Sequence, residues 1–326
     1  MTELKLAFWL VFAASLLDPL VGFAQKKPKI IVVTHGQISD AFWLVVRHGV
    51  ETAAKETDSD VQYLATGQFD LPAMSNLIDA AVASKPDGLV VSIPDAASLS
   101  KSIQAAVAAK IPVISINSGL DVSKKLGCLM HIGQEEESAG RQAGERMKAM
   151  GVRQALILNQ EVGNVALDQR TGGFRDGFEG PFHHVQVLPV KLDFMECYDA
   201  VTAYLQQNQD IDGILALGPV AAEPALQAVD DLGKVGKIKV STFDISPRVI
   251  QALYLLSSGR HEGRKSKHPA TMEAAANRVI VSLMAIGVPR YKIATNSLAI
   301  APTIIRIPPN TEEATPAISG SGSMMP

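Results

Sequence analysis

Two tryptophans and two cysteines are all that a chain of 326 residues contains, and aromatic side chains make up only 5% of it. Two cysteines exclude the disulfide framework that staples small secreted domains, and they are too few for a four-cysteine zinc site. An excess of one charge is also missing. Thirty basic and 33 acidic side chains leave a formal net charge of −3, so nothing in the balance speaks for nucleic acid as a partner. The glycine pattern of a dinucleotide site does not follow the first strand, and P-loop, Gly-x-Ser-x-Gly and His-Glu-x-x-His motifs do not occur. No cofactor and no metal is therefore expected. His183 and His184 lack further ligands at zinc spacing and read as a solvated loop pair, and Cys128 and Cys197 read as separate buried thiols.

A long hydrophobic run is missing too. The apolar stretch 6–21 follows Lys5 and is interrupted by Asp18 and Pro19, well short of the roughly 20 residues that span a bilayer. It leads to Gly22, Phe23 and Ala24, whose small residues match a secretory cleavage site, so residues 1–24 read as a signal peptide for export to the periplasm. Trp9 would leave with it.

What is present is a rhythm. Short β-branched runs at 30–34, 61–64, 88–93, 113–116, 129–132, 155–158, 185–190, 213–217 and 238–242 alternate with segments whose apolar residues recur at three- and four-residue steps. Those helical segments are 42–55, 71–83, 99–109, 136–150, 167–178, 198–206 and 221–232. Strand, helix, strand in this order predicts parallel sheets with right-handed crossovers. A weak repeat divides them. Asp87 and Gly88 open a unit ending at Asn117, and Asp212 and Gly213 open a similar one ending at Asp244. The fold expected is α/β: two doubly wound lobes, 29–130 and 131–256, joined by a hinge. A polar, basic stretch without strand pattern then opens a divergent region, 257–310, in which 271–286 reads as a helix and 298–307 as a strand; 311–326 is a tail.

Ligands of open parallel sheets bind beyond the carboxyl ends of the strands. Here those ends carry His35 and Gln37, Ser92 and Asp95, Asn117, Gln160 and Glu161, Gly218 and Pro219, and Asp244, a set rich in amides and carboxylates. Phe42 and Trp43 beside them supply either a flat face for a sugar ring or simply the core of the first helix, and Asp40 is either a ligand contact or an N-cap. Such a set suits an uncharged, hydroxyl-rich ligand. Ser39 and Asp40 near His35 could also be imagined as the nucleophile cluster of an exported hydrolase, although their spacing gives no triad geometry.

The runs 35–43, 81–90, 111–119, 159–164 and 168–174 together resemble the periplasmic sugar-binding proteins of the ribose/galactose type, over about residues 29–251. The resemblance implies a type 1 periplasmic-binding fold and a non-enzymatic receptor. Such a receptor would close over a monosaccharide or polyol and deliver it, as a monomer, to the permease of an ABC importer. It implies stacking by Phe42 with Trp43 beside it, and polar contacts from Gln37, Asp40, Asp95 and Asn117. From the second lobe it implies a guanidinium contact from Arg170, a carboxylate at Asp244, and further contacts from Glu161 and Asn164. Gly218 and Pro219 stand where the family commonly has an Asn-Asp pair, and after Leu253 no match is found for its binding glutamine. A repressor effector domain shares the fold, but there a helix-turn-helix would occupy the end that here carries the export signal.

Overall fold

The computed structural model describes residues 26–37, 39–257 and 282–283, all within one compact unit, Met1–Ile286. The signal peptide with Trp9, the strand expected at 298–307 and the tail lie outside the described residues.

The first sheet is wholly parallel. Its strands are β1 (Lys29–Thr34), β2 (Asp60–Ala65), β3 (Gly88–Ser92), β4 (Val113–Ile116) and β5 (Met130–Ile132), in the order β2-β1-β3-β4-β5. The helices between them are α1 (Ala41–Glu56), α2 (Leu71–Ala83), α3 (Ala96–Ala108) and a single turn, α4 (Leu120–Ser123), that the periodicity does not announce. One sheet face, with Ile31, Val33, Leu89, Val91 and Val113, buries against Met74 and Ile78 of α2 and Leu99 and Ile103 of α3.

The second sheet is built the same way from β6 (Gln154–Asn159), β7 (His184–Pro189), β8 (Gly213–Ala216), β9 (Lys239–Thr242) and β10 (Ser282–Leu283), in the order β10-β9-β8-β6-β7. It has helices on both faces. On one lie α7 (Phe194–Gln207), α8 (Pro219–Asp231) and α9 (Pro247–Ser257), and on the other α5 (Glu136–Ala149) and α6 (Val165–Phe178). The expected α/β architecture of two parallel-sheet lobes is thus present. One detail is corrected. Ser282 and Leu283 pair with Ser241 and Thr242 as a strand, inside the segment read as helical. An apolar β-branched run such as Val279, Ile280 and Val281 satisfies either period, and only its neighbours decide.

Among the described residues no helix is long and apolar enough to cross a membrane. Cys128 and Cys197 are both free and buried, and burial pushes the Cys197 thiol up to about 12. His183 departs from the solvated reading: its ring packs edge-on to Phe178, 5.4 Å between centroids.

The contact between α5 and α6 is backbone on backbone. Gly140 and Gly144 on one helix and Gly173 and Gly177 on the other have no room for a side chain; a Cβ at Gly173 would overlap the Glu137 carbonyl, and one at Gly140 the carbonyl of Arg170. Gly172, one position along, faces open space. The two alanine substitutions should therefore have opposite signs. Gly172→Ala gains helix propensity and should stabilise by about 0.5–1 kcal/mol. Gly173→Ala should destabilise by about 2 kcal/mol or more through overpacking. Urea unfolding of the two variants against the parent checks this, and a neutral Gly173→Ala would disprove the close approach.

Candidate functional site

The carboxyl ends of both sheets face each other across a cavity lined by His35, Asp40, Phe42, Trp43 and Asn117 from the first lobe. Gln160, Glu161, Asn164, Ala166, Leu167, Arg170, Leu217, Gly218, Pro219 and Asp244 complete it from the second. Its free volume is about 40 Å³, room for about three waters. It adjoins a larger, apolar space of about 480 Å³ between α1 and the far face of the first sheet, bounded by Val32, Val46, Val50, Val90, Ile116 and Ile132.

In the first lobe, chain reversal after β1 creates the site. Asp40 is the N-cap of α1, its carboxylate accepting from the Phe42 N–H at 2.9 Å. That bond swings Phe42 and Trp43 to the start of the helix and over the strand ends. Trp43 is buried at 4% exposure and packs edge-on to His35, 4.9 Å between centroids, while Phe42 stays partly exposed beside it. Gly36 is required here, because a Cβ would collide with the Trp43 indole. Asn117 closes β4 with φ of 61°, the left-handed region that asparagine tolerates better than most residues. Its Oδ1 accepts from Ser118 Oγ at 2.8 Å.

In the second lobe the carboxylates and the guanidinium are organised by α5 and α6. Arg170 Nε donates to Glu136 Oε2 at 2.7 Å, and Nη1 donates to the Leu217 carbonyl at 2.6 Å. Its guanidinium lies 4.2 Å over the Phe243 ring. Both partners of the Arg170–Glu136 pair are buried. Asn164 is the N-cap of α6 and spends every polar atom of its side chain on protein. Oδ1 accepts from Ala166 N and from Ser118 Oγ, and Nδ2 donates to Glu161 at 2.6 Å and lies 3.2 Å from His35 Nε2. His35 Nε2 also sits 3.5 Å from Glu161 Oε2, and its Nδ1 is 2.8 Å from Ser92 Oγ.

The electrostatics differ from one carboxylate to the next. Burial pushes Asp40 up to about 6, with the like charges of Glu161 and Asp244 adding to it and the Phe42 N–H and His35 opposing. Asp244 also lies above the ordinary carboxylate range, through burial, against the pull of Arg170. Burial acts on Glu161 in the same sense, yet His35 and the hydrogen bonds from His35 and Asn164 outweigh it and hold that carboxyl below its usual range.

Eight of the ten residues expected from the sequence line the cavity: Asp40, Phe42, Trp43, Asn117, Glu161, Asn164, Arg170 and Asp244. Gln37 and Asp95 do not. Gln37 lies in the turn before α1, its carbonyl accepting from Asp40 N, and Asp95 turns away to cap α3 by accepting from Ser98 N at 2.6 Å. The expectation omits His35 and Gln160, though the strand-end rule points to both, and Glu136, whose pairing with Arg170 has no local signal.

The ionisation of Asp40 can be isolated. A carboxyl raised from 3.8 to about 6 by folding contributes stability that is complete below about pH 4 and is lost as pH rises through 6. Asp40→Asn keeps the capping acceptor and removes the charge. The variant should match the parent near pH 4 and exceed it by about 1–3 kcal/mol at pH 7 in urea unfolding. Parallel stability curves over that range would show that the charge is not buried.

Comparison with known proteins supplies relatives. The family model described as periplasmic binding protein domain matches residues 30–287, which extends past the point near 251 where the resemblance was read to end. A D-ribose/D-allose-binding protein of Pseudomonas aeruginosa is 24% identical over 283 residues, covering 82% of this chain and 85% of that protein. The crystal structure of a carbohydrate transporter from Acidothermus cellulolyticus, in complex with myo-inositol, is 32% identical, with TM-score 0.65, covering 77% of this chain and 85% of that one. A periplasmic solute-binding protein of an ABC transporter from Actinobacillus succinogenes, with bound D-allose, is 25% identical, with TM-score 0.62 and coverage of 71% and 83%.

Proposed function

The chain belongs to the periplasmic binding protein domain family, and from that premise we propose that it is a periplasmic solute receptor, not an enzyme, that binds a monosaccharide or polyol between its lobes for an ABC-type importer. The single observation that carries the reading is the composition of the cavity: carboxylates, amides and one guanidinium from the strand ends of both lobes, beside a partly exposed aromatic ring. Hydroxyls donate and accept at once, and only such a mixed wall satisfies both roles. The named ligands of the relatives, ribose, allose and inositol, belong to that chemical class.

On this reading Phe42 packs on the C–H face of the ring, and Asp40 and Asn117 bind hydroxyls from the first lobe. Arg170 Nη2, which makes no hydrogen bond among the described residues, and Asp244 bind from the second. Glu161 and Asn164, already engaged with His35 and each other, position the loop rather than touch ligand. Ligand stabilises the arrangement in which both lobes contribute, since only there are both sets of contacts made. The brought-together lobes then present the surface that a membrane permease reads. Residues 1–24 act as the export signal, and the mature receptor works as a monomer.

Protein recovered from the periplasm would retain Trp43 as its only tryptophan. Titration with pentoses, hexoses and cyclitols, followed by calorimetry and by intrinsic fluorescence, should give one-site binding with a change in emission. Folded protein that binds none of them would overturn the reading. Binding without a fluorescence change would remove Trp43 from the site.

A further inference from the structure

Resting on that reading, the charge arrangement of the cavity narrows the ligand class: we propose that the preferred ligand carries a protonated amine, held between Asp40 and Asp244, so that the receptor selects amino sugars or amino polyols over their neutral counterparts.

The argument starts from which charges are already matched. Of the groups lining or flanking the cavity, Glu136 is consumed by Arg170 at 2.7 Å, and Glu161 by Asn164 at 2.6 Å and His35 at 3.5 Å. The one arginine has its charge paired with Glu136 and two of its three nitrogens bound to protein, which leaves Nη2 alone for a ligand among the described residues. Asp40 and Asp244 remain. They come from opposite lobes, both line the cavity, and neither makes an ion pair among the described residues. Each is raised above the carboxylate range by burial, and Asp40 further by the charge of Asp244. The charge of Arg170 pulls Asp244 the other way, but burial and the charge of Glu136 keep it above the ordinary range.

Two buried like charges brought together from opposite lobes oppose the very approach that forms the site, unless something positive lies between them. A hydroxyl brings one donor and no charge. An ammonium brings three donors and a full positive charge. The remaining wall fits it. Gln160 Oε1 is a buried acceptor with no partner among the described residues, and Phe42 and Trp43 line the same cavity as Asp40, where aromatic rings add to the attraction for a cation. The charges of the wall that no ion pair matches among the described residues are carboxylates, and the ligand that balances them is cationic.

Matched pairs test this on the full chain at pH 7 by calorimetry: D-glucosamine against D-glucose, and an aminodeoxy-inositol against myo-inositol. The amine of at least one pair should bind about tenfold more tightly than its neutral partner, the size of one charge-assisted bond over a neutral one. In Asp244→Asn and in Asp40→Asn that ratio should fall to about one. Asp40→Asn keeps the helix cap and guards against a folding defect in the other variant. Neutral sugars binding as tightly as the amines, or a ratio that survives both substitutions, would overturn the inference and leave the receptor function standing. Folded protein that binds none of these and no other sugar overturns both.

Discussion

The second lobe's half of the site hangs on one buried ion pair, Arg170 with Glu136. Taking both charges out of water costs more than their attraction alone returns, so the pair persists only because its surroundings satisfy the rest of each group. They do so in an organised way. The guanidinium donates to the carbonyl that ends β8, lies over Phe243 at the end of β9, and reaches α5 through Glu136. Three elements are thereby fixed relative to one cation at the floor of the cavity. The pair in turn needs α5 and α6 closer than side chains normally allow. Gly140, Gly144, Gly173 and Gly177 provide that approach, so four missing side chains in a helix interface set the position of a charge that lines the cavity.

The first lobe achieves position by shorter means. Its cavity-lining groups lie on turns within a few residues of a strand end, and Asp40 and Asn117 are fixed by local bonds, the cap on Phe42 N and the Ser118 bond to Asn117 Oδ1, while His35 is held from the neighbouring strand by Ser92. Asp40 shows the cost of that economy. The geometry that makes it a good cap also buries its charge, and on the function proposed the same side chain must serve helix and ligand.

These two modes explain how much was legible in the sequence. The parallel α/β architecture follows from hydrophobic rhythm because every crossover repeats it, and the Asp-Gly units foretell that Asn117 and Asp244 end equivalent strands; the fold then brings both to one cavity. Local anchoring is legible too, since Asp40 and Asn164 precede helices as N-caps do. The same local chemistry misleads at Asp95, where the cap consumes the carboxylate and turns it from the cavity. What escapes sequence reasoning is pairing at a distance. Nothing local joins Glu136 to Arg170, and glycines spaced by four on two helices announce a close contact without naming its partner. His35 escapes for another reason: a histidine at a strand end reads equally as ligand contact or as core, and here it is a buried bridge to the other lobe.

That bridge bears on how binding energy is spent. The lobes already touch through protein alone, by Asn164 with His35 and Ser118 and by Val165 N donating to the Pro94 carbonyl at 2.8 Å. The cavity between them is small, about 40 Å³, and shares Phe42, Asn117, Arg170 and Asp244 with the adjoining space of about 480 Å³. On the function proposed, affinity is what a ligand gains from Asp40, Asn117, Arg170 and Asp244 less the cost of any movement of the lobes that admits it. The contacts that hold the lobes together sit at His35 and Asn164, while the unmatched carboxylates that push them apart sit at Asp40 and Asp244. The first set holds the lobes together without ligand, and on the inference drawn above a cationic ligand relieves the second. On that inference the chemistry of the ligand and the closure of the lobes depend on the same two side chains.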